Sequence, residues 1–166
     1  MIDVKTLSAD WIAEKCKKYT NDPALMESMI YALYLLEQLK LTDLPFIFKG
    51  GMSLILLMNE PKRFSVDIDI IISPDITREA LEKHLSKIAE TSAFVRMELD
   101  EKRSYQNGIP KAHYKFIYTS NFANKNKEGH IISNPEREIL LDILFAENHY
   151  PQLVELPLQT EWLLQT

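Results

Sequence analysis

The sequence predicts an α+β (α/β) domain: a mixed sheet of about five strands with helices packed against it. One observation is a long periodic apolar run, Ala24 to Lys40, in which Leu25, Met29, Leu33, Leu36 and Leu39 share a side. Another is a set of short β-prone runs: Phe46–Phe48, Val66–Ile72, Phe94–Leu99, Ala112–Thr119 and Glu138–Phe145. Amphipathic stretches fall between some of these runs, which mixes the two kinds of element along the chain.

The N-terminal twenty residues space Leu7, Trp11, Ile12 and Cys16 as one face of a helix. Asn21-Asp22-Pro23 then starts the long helix, with proline placed where a missing N–H costs nothing. Phe46–Phe48 reads as a short buried strand, and Gly50-Gly51 as a turn into a short helix over Ser53–Met58. Asn59-Glu60-Pro61 ends that helix, because the residue before proline avoids helical geometry. Lys62 to Ser65 leads into the strand Val66–Ile72. Ser73-Pro74-Asp75 is a turn, and Thr77–Glu90 puts Ala80, Leu81, Leu85 and Ile88 on one helical face. Asp100–Pro110 and Asn121–Gly129 read as polar loops, the second mobile, and Asn148–Thr166 as an extended segment along an edge.

A chain of 166 residues is long enough for one domain with its own core, so residues 1–166 are read as a single domain. A lone cysteine, Cys16, excludes an intramolecular disulfide and a multi-cysteine zinc cage, and places the chain in the cytoplasm. No apolar run approaches the roughly 18 residues of a membrane span. A net charge of −5 argues against unspecific coating of nucleic acid. The charge is uneven, however: Lys102 to Lys127 holds six basic residues and no acid. Tyr105, His113, Tyr114, Phe116, Tyr118 and Phe122 are interleaved there, a pattern that suits either an RNA end or a strand edge over core aromatics.

The chemistry concentrates in Phe46–Ile72. Asp67 and Asp69 interrupt an apolar strand, and alternation points both to one face while Val66, Ile68 and Ile70 point to the other. Two carboxylates about 6–7 Å apart repel by about 2–3 kcal/mol at an effective dielectric near 20. A divalent cation removes that cost, and an all-oxygen donor set suits Mg²⁺ or Mn²⁺. Gly50-Gly51 before a helix is either a structural turn or a phosphate cradle, with Ser53 and Lys49 beside it. Asp142, set within ILLDILF, is either a third ligand or a strand-end residue hydrogen-bonded to a neighbouring backbone. His84, His113, His130 and His149 show no metal-ligand spacing and read as surface or core histidines.

FKGGMSL, then KRFSVDIDI, then LLDI resembles the AbiEii/AbiGii-toxin-like nucleotidyltransferases, a branch of the DNA polymerase β-like superfamily. The resemblance covers Leu44 to Phe145 and implies a nucleotidyltransferase-like fold. It implies nucleotide transfer from an NTP to an acceptor, with Gly50, Gly51 and Ser53 at the phosphates and Asp67, Asp69 and Asp142 at Mg²⁺ or Mn²⁺. Lys49, Arg63 and Ser65 fall on motif positions, where Lys49 or Arg63 either neutralises phosphate or ties the site together. It further implies the toxin of a toxin–antitoxin or abortive-infection pair, a cognate antitoxin, and RNA (a tRNA end) or a protein hydroxyl as acceptor. The alternatives are a non-catalytic nucleotide-binding module and a metal-dependent phosphohydrolase. The fifteen residues between Gly51 and Asp67 exceed the superfamily's spacing, and no helical region follows the sheet. The chain is therefore either a compact variant or the N-terminal part of a longer protein.

Overall fold

The structure is a computed structural model that describes residues 1–20, 22–58, 66–122, 124–133 and 135–165. After a 3₁₀ turn at Val4–Leu7 come α1 (Ala9–Tyr19) and α2 (Pro23–Leu41). Then follow β1 (Ile47–Lys49), α3 (Gly51–Leu57), β2 (Ile68–Ile72) and α4 (Arg78–Thr91). The rest is strand: β3 (Arg96–Leu99), β4 (Lys111–Thr119), β5 (Asn124–Lys125), β6 (Ile131–Ser133) and β7 (Glu136–Phe145).

Helix α2 is the central support. Asp22 caps it by accepting from the N–H groups of Ala24 and Leu25, and Pro23 fills the first turn. Nineteen residues give about 28 Å of helix. Met26, Met29, Ile30, Ala32, Leu33, Leu35 and Leu39 are fully buried, so the helix packs on more than one side. Glu27 is also fully buried, and its carboxylate accepts from the Ser120 hydroxyl (2.5 Å) and the Asn121 N–H (2.8 Å). That acid closes the end of β4 onto the helix, which satisfies a group otherwise costly to bury. Tyr31 stacks on Tyr118 with ring centroids 3.9 Å apart, fixing α2 over β4.

The five-stranded sheet has the order β1-β2-β7-β4-β3. β2 and β7 run parallel, and the other pairings are antiparallel. Alternation gives the sheet two chemically different faces. Ile68, Ile70, Ile72, Ile139, Leu141, Ile143, Tyr114 and Phe116 point into the core shared with α2 and with Leu81, Leu85 and Ile88 of α4. Lys49, Asp69, Asp142 and His113 lie on the other face, half-buried.

The predicted α+β architecture with a mixed five-stranded sheet is observed. Several local expectations are not. β1 is half-buried rather than buried, because it forms the sheet edge. β2 begins at Ile68, so Asp67 stands just before the strand. The expected loop Asn121–Gly129 contains β5, which pairs with β6 beyond it as a small antiparallel ribbon. The C-terminal segment does not extend a sheet edge. It returns to the N-terminus, where Asp3 N–H donates to the Leu164 carbonyl (2.8 Å) and Trp11 Nε1 to the Trp162 carbonyl (2.7 Å). Trp162 is buried there, edge-on to Tyr19, while Lys18 and Tyr19 both bond Glu161. Apolar burial of Trp162 and Leu163 outweighs the weak β propensity of that stretch. Among the described residues, no helix is long and apolar enough to cross a membrane.

Candidate active site

Strand register assembles the site. Lys49 on β1 is the partner of Asp69 on β2, Asp69 of Asp142 on β7, and Asp142 of His113 on β4. Partners on adjacent strands share a face, so these four side chains form one row with about 4.8 Å between successive strands. The sequence fits each member locally. Apolar residues on both sides of Asp69 and Asp142 drive their strands into the core and leave the acids on the open face.

Gly50 brings the β1–α3 turn against this row. Its φ is +82°, where residues with a Cβ are strained. A Cβ built at Gly50 would also lie 2.4 Å from Asp69 Oδ2, so the turn approaches the carboxylate as only glycine allows. Gly51 opens α3, and the Ser53 hydroxyl donates to the Gly50 carbonyl (2.6 Å), which pins the turn. In this arrangement Ser53 spends its proton on the backbone and keeps its oxygen lone pairs.

The electrostatics identify the acids as mutually unfavourable. Burial, then the charge of Asp142, pushes the Asp69 carboxyl above its ordinary range; Asp67 adds to this, and Lys49 and His113 oppose it. Asp67 is raised for the same reasons, burial first and Asp142 second, against the pull of Arg103. Asp67, Asp69 and Asp142 therefore feel one another although Asp67 lies before the strand.

Asp142 has a partner that the sequence pattern did not reveal. His113 Nδ1 lies 2.5 Å from Asp142 Oδ1. Ser104, buried in the loop before β4, accepts from the His113 N–H (2.8 Å) and donates to its carbonyl (3.3 Å). Counting spacings between histidines could not find this contact, because it is made across strands. The signal available was alternation: Lys111, His113 and Lys115 face away from buried Ala112, Tyr114 and Phe116.

Lys49, Gly50, Ser53, Asp67, Asp69 and Asp142 thus gather around the sheet's open face, with Gly51 at the start of α3. Arg63 and Ser65, with the lead-in 59–65, lie outside the described residues. The donor set is hard, anionic and half-buried, which fits Mg²⁺ or Mn²⁺ in chemistry. No three His, Cys, Asp or Glu groups among the described residues close on one point. The basic, aromatic stretch is divided by the same alternation. Tyr114, Phe116 and Tyr118 are core, whereas Tyr105 joins Arg78, Ile76, Ile109, Lys111 and Phe145 around a cleft of about 260 Å³.

No curated protein and no solved structure matches the chain. A family model does, described as "Nucleotidyl transferase AbiEii toxin, Type IV TA system", and it matches residues 34–164. The match takes in the second half of α2, the whole five-stranded sheet and the row of acids. The chain belongs to the AbiEii nucleotidyl transferase toxin family of type IV toxin–antitoxin systems.

Proposed function

We propose that the chain transfers a nucleotide from an NTP to an acceptor hydroxyl and releases pyrophosphate, with Asp67, Asp69 and Asp142 holding Mg²⁺ or Mn²⁺. The observation that carries this reading is the register of Asp69 with Asp142 beside a turn whose glycine touches Asp69. Two half-buried acids side by side weaken a fold unless they serve a ligand, and an oxygen-bound cation is the ligand their chemistry suits. When bound, such a cation polarises the reacting phosphate and stabilises charge on the leaving pyrophosphate.

The chain's own groups do the rest. The Gly50-Gly51 turn brings backbone close to the triphosphate, the Ser53 hydroxyl pins that turn by donating to the Gly50 carbonyl, and Lys49 supplies positive charge next to Asp69. Arg63 and Ser65 take part by their motif positions. The acceptor oxygen attacks the α-phosphorus, the bond to the β-phosphate breaks, and the hydroxyl proton passes to a carboxylate of the row.

RNA is the acceptor we favour over a protein hydroxyl. Support comes from the cleft lined by Arg78, Lys111, Tyr105 and Phe145, which joins two cations to two rings, with Lys111 two residues before His113 on β4. Arg78 sits 4.5 Å from the Tyr105 ring centroid, and Tyr105 packs at 5.9 Å from Phe145 with the rings tilted by 32°, so a cation and two rings are gathered at one cleft. Membership of a type IV toxin–antitoxin family implies a cognate antitoxin as partner.

The test mixes the protein with Mg²⁺, total RNA and each α-labelled NTP in turn. Label entering an RNA band supports the proposal. Label bound to protein without transfer to RNA or protein indicates a binding module, and free phosphate release from the NTP indicates a phosphohydrolase.

A further inference from the structure

The Asp142 carboxylate lies half-buried in the row between Asp69 and His113. His113 Nδ1 is 2.5 Å from its Oδ1. The histidine is itself held unusually firmly. Its N–H donates to Ser104 Oγ at 2.8 Å, and its carbonyl accepts from the Ser104 hydroxyl (3.3 Å) and the Asp100 N–H (2.9 Å). Ser104 is 4% exposed, so a buried hydroxyl is committed to one residue's backbone on both sides. Register then aims the ring along the row: His113 is the β4 partner of Asp142, which is the β7 partner of Asp69.

We propose that Ser104 and His113 are positioning residues that orient Asp142 for divalent-cation binding, with Oδ1 held by the imidazole and Oδ2 left for the cation. The inference rests on the nucleotidyltransferase reading above. Its logic is that of an outer-shell group on a ligating carboxylate, which fixes orientation without touching the cation. With hydrogen on Nδ1, the ring donates to Asp142 Oδ1.

Mn²⁺ binding to the full chain without NTP, read by the loss of the free-ion paramagnetic resonance signal, tests this directly. Wild type binds, and Asp69→Asn does not. His113→Ala weakens binding by about 10–100-fold. His113→Asn, whose amide N–H falls near the Nδ1 position, recovers most of it, which a merely structural loss would not allow. Ser104→Ala moves binding in the same direction by less. Unchanged or tighter Mn²⁺ binding in His113→Ala, beside a wild type that binds and an Asp69→Asn that does not, overturns the positioning role alone. A wild type that takes up no Mn²⁺ overturns the site reading and this proposal together.

Discussion

Asp69 and Asp142 are register partners across the parallel β2–β7 pair, and Lys49 and His113 flank them in the same row. Parallel strands are normally apolar on both faces because helices cover them. Here one face is core and the other carries two acids at its centre. The cost of that arrangement is the clearest physical mark of function in the molecule.

Asp69→Asn is expected to stabilise the cation-free protein. Burial and the charge of Asp142 raise Asp69 above its ordinary 3.8, and the same two causes raise Asp67. The folded chain therefore keeps protons on these groups after the unfolded chain has lost them. Their favourable contribution is complete below the unfolded values and disappears as pH rises through the folded ones. Thermal melts of wild type and Asp69→Asn between about pH 4 and 7 should diverge, the wild type losing ground as pH rises. Parallel curves would remove the electrostatic account of the row.

Gly50→Ala is expected to lower both stability and transfer. The substitution meets a φ of +82° and an Asp69 oxygen 2.4 Å from the new methyl carbon. Backbone strain alone is worth about 1–3 kcal/mol. Adding Asp69→Ala removes the two closest contacts of that methyl carbon and leaves the Asp69 Cβ at 3.1 Å, so the double mutant should be more stable than the sum of the singles. A denaturant titration of the four proteins reads that coupling, and strict additivity would place Gly50 away from Asp69.

Glu27→Ala separates scaffold from chemistry. It strands the Asn121 N–H and leaves the buried Ser120 hydroxyl only its longer bond to the Phe122 carbonyl (3.2 Å), just after β4. A loss of about 2–3 kcal/mol is expected, because hydrogen bonds to a charged group are involved. Nucleotide transfer per folded molecule should stay unchanged. A large fall in that specific activity would make Glu27 part of the site.

Much of this was legible in the sequence, and the reasons differ by residue. Helix α2 announced itself through Asp22-Pro23 and a long apolar period, both local signals. Asp69 was conspicuous because an acid within IDIII has no packing role. Asp142 was suspected on the same ground, but its place beside Asp69 depends on pairing strands some seventy residues apart. Local pattern does not specify such register. His113 was passed over for that reason, since its partner lies across the sheet rather than along the chain. Trp162 carried no period at all, and its burial against Tyr19 follows from tertiary packing.

The most direct test of the central claim is the transfer rate of Asp69→Asn and Asp142→Asn against wild type, with an α-labelled NTP, Mg²⁺ and the RNA that accepts label. The account predicts a fall of at least about 100-fold in each mutant, the scale expected when charge stabilisation at a reacting centre is removed. Circular dichroism of both should remain that of the folded protein. Transfer at wild-type rate in either mutant would contradict the assignment of the Asp69–Asp142 pair as the reaction centre.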